Sequence, residues 1–154
     1  MNTQEKELKD ELSSLKDIFT NIIGIPKVQP NKVNGKLTDI VKTIDDVYEY
    51  LCKPKPTLGN YVGFDTEDAE YQLNMQYIKD IAKLFNEGWI PDFNNSKEYK
   101  YFPYYQKQAS GWGFYGSDYC FDSSLLGSGF YYKSEEISNY VGKQFIDIYI
   151  KILN

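Results

Sequence analysis

The oxygen-bearing residues Asp92, Asn94, Ser96 and Glu98 alternate at two-residue spacing, as ligands do in the first half of a calcium loop. A loop of that kind needs glycine where Lys97 stands and a bidentate glutamate where Pro103 stands. Both are missing, so the run predicts a polar turn. Three acidic pairs, Asp45–Asp46, Glu67–Asp68 and Glu135–Glu136, fall where helices are expected. Neighbours on a helix diverge by about 100°, so neither pair member can share a substrate with the other. Asp92, Glu98, Asp118 and Asp122 are spread through an aromatic region and could in principle face one cleft as a glycosidase pair does, but no spacing singles them out.

Other chemistries are harder to place. The chain has no histidine, which removes the commonest general base and metal ligand. Its two cysteines, Cys52 and Cys120, are far apart and form no metal-binding spacing; two buried free thiols are expected. The glycine cluster "GWGFYG" carries bulky rings in its gaps, and no following helix is expected, so it does not read as a dinucleotide loop. These readings predict no catalytic residue, no cofactor and no metal, hence a protein that is not an enzyme.

Charge narrows the choice of partner. All 17 basic residues are lysines. Without arginine, bidentate recognition of guanine and phosphate is lost. Residues 1–60 balance nine lysines against nine acids, so the net charge of −5 belongs to residues 61–154. Such a surface repels nucleic-acid backbones and attracts basic proteins. Aromatic sheets that stack bases need a basic groove as well, and lysine is sparse around these rings. No apolar run reaches the ~18 residues of a membrane helix, and the polar start "MNTQEKELKDEL" does not read as a secretory signal. A cytoplasmic protein is expected.

The elements that would position these residues follow from periodicity. Leu8, Leu12, Leu15, Phe19 and Ile22 form a two-heptad seam on a helix over 3–23, which could pair with a second copy or dock on the next helix. Helices are expected over 38–51 with Thr38 as N-cap, over 65–87 closed by Gly88, and over 135–153 capped by Ser134. The 65–87 stripe is Leu73, Tyr77, Ile81, Leu84 and Phe85. Between the last two helices, 15 of the 26 aromatic residues are concentrated in 89–133. Short strands are expected at 99–105, 112–117 and 128–133, with Pro103 marking an edge or an interruption. The fold class is therefore α+β: N-terminal helices, a helix, a small antiparallel sheet and a closing helix. The proline-rich linker "CKPKPTLGN" suggests a boundary between an N-terminal helical part, 1–60, and an aromatic-rich domain, 61–154.

The run "LFNEGWIPDFNNSKEYKYFPYY", followed by "GFYGSDYCF" and "FYYKSEEISNYVGKQF", resembles a small uncharacterised domain that recurs in phage and prophage proteins of Bacteroidetes hosts. The likeness covers about residues 65–154 and rests on Gly88, Trp89, Pro91 and Asp92, on Tyr99 to Tyr101 with Pro103, and on Lys133, Ser134, Tyr140 and the Gly142–Phe145 run. Tyr104 and Tyr105 replace a Trp-Phe pair, and Val141 replaces an alanine. The resemblance implies a mobile-element origin and supplies no catalytic residues. Three functions are thereby expected in descending order. The first is an inhibitor of a host defence nuclease, of anti-CRISPR type, docking on a basic nucleic-acid-binding effector in the host cytoplasm. The second is a virion or adhesion component assembling through the Leu8–Ile22 seam, and the third a carbohydrate-binding module. The candidate interface residues are Asp92, Glu98, Tyr104, Tyr105 and Asp118, with whichever of the two tyrosines faces outward at its centre.

Overall fold

The computed structural model describes residues 35–122 and 127–154. The expected 3–23 helix, with its Leu8–Ile22 seam, lies outside the described residues. The order of elements is α1 (Leu37–Ile40), α2 (Ile44–Tyr50), α3 (Thr66–Asn86), β1 (Lys100–Gln108), β2 (Gly111–Cys120), α4 (Glu135–Gln144) and α5 (Ile146–Ile150), with 3₁₀ turns at Leu58–Asn60 and Ser128–Phe130. This is the expected α+β class.

Where one helix was expected over 38–51, the chain breaks at Val41, which is extended (φ −84°, ψ 105°). Thr43 then restarts it: its side chain accepts from the Asp46 N–H, and the Asp46 carboxylate accepts from the Thr43 N–H. This capping box satisfies two otherwise orphaned backbone donors. It supplants Thr38, which lies inside α1 rather than capping it, the N-cap position there being Lys36.

α3 begins at an Asp65 cap that accepts from the Asp68 N–H, with Glu67 and Asp68 favoured at the positive end of the helix dipole. Left-handed Glu87 (φ 50°) and Gly88 (φ 90°) end it. Its fully buried stripe is Ile78, Ile81, Ala82 and Phe85; Leu73, Tyr77 and Leu84 of the expected stripe are only half-buried.

β1 and β2 form an antiparallel hairpin, and among the described residues the sheet has these two strands. The expected third strand at 128–133 is instead a 3₁₀ turn followed by a single bridge, in which Tyr101 and Tyr132 exchange backbone hydrogen bonds of 3.1 and 2.7 Å. Pro103 lies two residues along from Tyr101, on the same outward-facing edge, where a missing N–H costs no ladder bond.

The closing helix, expected to be continuous over 135–153, also breaks. Phe145 (φ −110°, ψ 25°) separates α4 from α5 and is buried edge-on against Phe85, with ring centroids 6.3 Å apart. One hydrophobic core contains Val41 and Val47, Ile78, Ile81, Ala82 and Phe85, Tyr132, Val141, Phe145 and Tyr149. Residues on both sides of the 52–60 linker therefore share a core. Side chains stitch the first helices to the last: Tyr140 Oη donates to the Val41 carbonyl (2.6 Å) and Gln144 Nε2 to the Lys42 carbonyl (2.8 Å). Asn86 bridges Tyr131 and Lys133, donating to the first carbonyl and accepting from the second N–H. Cys52 and Cys120 are unpaired and half-buried rather than fully buried. Among the described residues, no helix is long and apolar enough to cross a membrane.

Candidate interaction surface

Strand alternation gives the hairpin two faces. One lies on α4. Ser117 Oγ donates there, within 2.7 Å of Ser138 Oγ and 3.1 Å of Asn139 Oδ1. Tyr105 Oη donates to the Gly142 carbonyl at 3.0 Å, and its ring lies 5.2 Å from that of Tyr149. Burial raises the Tyr105 phenol far above its usual pKa, and Tyr149 adds to the shift. Of the two adjacent tyrosines, Tyr105 is thus the inward one and is withdrawn from the expected interface.

Tyr104 points the other way and is 47% exposed. Its partner on that face is Tyr115, the most exposed tyrosine on the hairpin at 69%. Tyr104 pairs with Gly116 and Tyr105 with Phe114, so Tyr115 is the extra residue of a β-bulge. A bulge re-aims side chains locally, and here it brings Tyr115 to Tyr104 with centroids 6.0 Å apart and planes at 82°. Asp118 is exposed on the same face, opposite Phe102 and diagonal to Tyr104. Its Oδ1 accepts from the Tyr119 N–H at 2.8 Å. Opposite Asp118 on this face, Phe102 stands edge-on to buried Tyr131, as does Phe93.

A second ring cluster closes the strand ends. Tyr99, Tyr101, Tyr119 and Phe121 pack with centroids 4.8 to 6.1 Å apart, leaving Tyr99 and Tyr119 about half-exposed.

The loop before β1 holds the remaining candidates. Asp92 is exposed, and its Oδ1 accepts from the Asn94 N–H, forming a turn. Glu98 is committed to holding that loop: Oε1 accepts from the Asp92 N–H (2.9 Å) and Oε2 from Trp89 Nε1 (3.3 Å). The Asp92 N–H, chiefly, holds the Glu98 carboxyl below its usual pKa, with Lys100 and Trp89 assisting. Glu98 is therefore a staple, and Asp92, Tyr104 and Asp118 are the expected residues that remain presented to solvent. Asn94 and Asn95 are spent on the same polar turn, in which Asn95 Oδ1 accepts from the Lys97 N–H. Among the described residues no group of three acids or cysteines is placed to hold a metal ion.

Tyr115 is the residue that sequence reasoning missed. Alternation counted back from inward Ser117 would bury it, and the register shift between Tyr104 and Tyr105, visible only in the pairing, turns it outward. A separate concavity of about 330 Å³ lies between α1 and the start of α4. Two of its lining carboxylates have lysine partners, Glu136 with Lys36 and Glu87 with Lys133. No family model, curated protein or solved structure matches the chain.

Proposed function

We propose that this chain is a non-enzymatic binding protein of phage or prophage origin that inhibits a host defence nuclease, in the manner of an anti-CRISPR protein, by docking the outer face of its hairpin on a basic effector surface. The observation that carries the reading is the exposed Tyr104–Tyr115 pair beside Asp118, on a face turned away from the helices. Tyrosines of this kind are frequent interface anchors, because they bring large amphipathic area at low entropic cost. The hairpin is held rigid by α4 behind it, so little ordering is lost on binding. The net charge of −5 favours encounter with a basic surface that would otherwise hold nucleic acid. The phage resemblance of residues 65–154 gives the biological setting.

The test is a reconstituted assay. Adding the purified chain to a candidate nuclease complex from a Bacteroidetes-type host should suppress cleavage, with binding that weakens as salt is raised past physiological strength. Tyr104→Ala combined with Tyr115→Ala should relieve the suppression by at least about tenfold. Recovery of the chain from purified phage particles, with no effect on any host nuclease tested, would overturn the inhibitor reading in favour of a virion component.

A further inference from the structure

Resting on that reading, we infer that the corner between Tyr104 and Tyr115, with Asp118 beside it, receives an arginine side chain of the partner. Two rings in a T-shaped contact, at 82° with centroids 6.0 Å apart, leave beside that contact a corner bounded by a face of each. A ring face attracts a cation through its quadrupole. Asp118 is diagonal to Tyr104 across the strands, a residue separation of roughly 7–8 Å that a long side chain bridges. A guanidinium is planar and weakly hydrated, so it can stack on a ring while donating to a carboxylate.

The rest of the molecule supplies the contrast. Some rings elsewhere are covered by the protein's own lysines: Lys107 Nζ lies 5.5 Å from the Trp112 ring, Lys143 5.6 Å from Phe114 and Lys42 5.0 Å from Tyr140. Among the described residues no lysine lies over Tyr104 or Tyr115, and no ion pair engages Asp118. The chain has no arginine of its own to place there. The cation assigned to the corner is the partner's, and its complement is a basic protein segment.

The experiment is an NMR titration of the full chain with a blocked Gly-Arg-Arg-Gly peptide and with its citrulline counterpart, which keeps the shape and loses the charge. Saturable shifts are expected for the arginine peptide, centred on Tyr104, Tyr115 and Asp118, and absent for the citrulline peptide. Tyr115→Ala and, separately, Asp118→Asn should each weaken binding roughly three- to tenfold, with the resonances of Tyr132 and Val141 reporting that the core is intact. Equal binding of the two peptides, shifts centred elsewhere, or no saturable shift would each overturn the inference. If nuclease inhibition persists while the arginine peptide fails to bind, the corner assignment alone is wrong. If the peptide binds and no nuclease is inhibited, the proposed function alone is wrong.

Discussion

Asp80 is 4% exposed, yet its carboxylate accepts from Tyr48 Oη at 2.5 Å, from Lys53 Nζ at 2.5 Å and from Gln76 Nε2 at 3.0 Å. Burial pushes the Asp80 carboxyl up, but the hydrogen bonds from Lys53, Tyr48 and Gln76 outweigh it and leave the pKa below the usual value. The folded pKa is thus lower than the unfolded one, near 3.9. The network's contribution is complete above that value and is lost as pH falls through it toward the folded pKa. Asp80→Asn should cost about 1–3 kcal/mol at neutral pH and flatten the decline of the urea midpoint on acidification below about pH 4. Parallel pH profiles for the two proteins would show that other carboxylates set the acid limit. Nothing in the sequence marks Asp80, because its partners come from α2, the following loop and one turn earlier on α3. The Tyr104/Tyr105 choice was legible, since alternation demanded that one ring face outward. Which one did so was fixed by α4, whose Gly142 carbonyl accepts from Tyr105.

At the scale of elements, α4 comes close to the hairpin at one small residue, Gly142. A Cβ added to Gly142 would lie 2.7 Å from Cδ2 of Phe114 and 2.8 Å from Cβ of Pro103. Neither neighbour is the free end of a flexible chain, and Tyr105 binds the Gly142 carbonyl. Gly142→Ala gains helix propensity but should still lower stability by about 1–3 kcal/mol through overpacking. An unchanged or raised denaturation midpoint would mean that helix and hairpin can slide apart at no cost. The helices were legible from apolar spacing, and α3 with its Asp65 start and Gly88 stop came close to its expected bounds. The breaks were not. Thr43 and Asp46 carry a capping signature, but a continuous hydrophobic period through Ile40, Ile44 and Val47 masks it. Phe145 interrupts the last helix in contact with Phe85, a neighbour set by the tertiary fold. The segment 128–133 has strand-like rings but forms a single bridge, since Asn86 binds the Tyr131 carbonyl and the Lys133 N–H on either side.

At the scale of the whole molecule, the aromatic concentration divides its labour. Tyr105, Tyr132 and Tyr149 join the core, with Tyr132 and Tyr149 sharing a hydroxyl–hydroxyl bond of 2.7 Å. Tyr104 and Tyr115 remain outside. Composition announced the rings and their amount, whereas the division between core and surface depends on which face α4 covers. The single core also explains why residues 37–51 stand with the aromatic part: Val41 and Val47 are fully buried in it.

Lys100 has a consequence of another kind. It is wholly buried, with its ammonium donating to the Asn95 and Glu98 carbonyls, paired with the Glu98 carboxylate and lying 5.4 Å from the Phe93 ring. An amine-reactive acylating reagent cannot reach it while the chain is folded, whereas the exposed Lys79 and Lys83 are open to attack. The residue is in effect a chemical clock. Its modification rate, read by mass spectrometry, should run on the order of a thousandfold behind those exposed lysines and report the rare excursions in which the domain opens. Equal rates would reveal that the loop over 92–98 swings away by itself while the remainder stays folded.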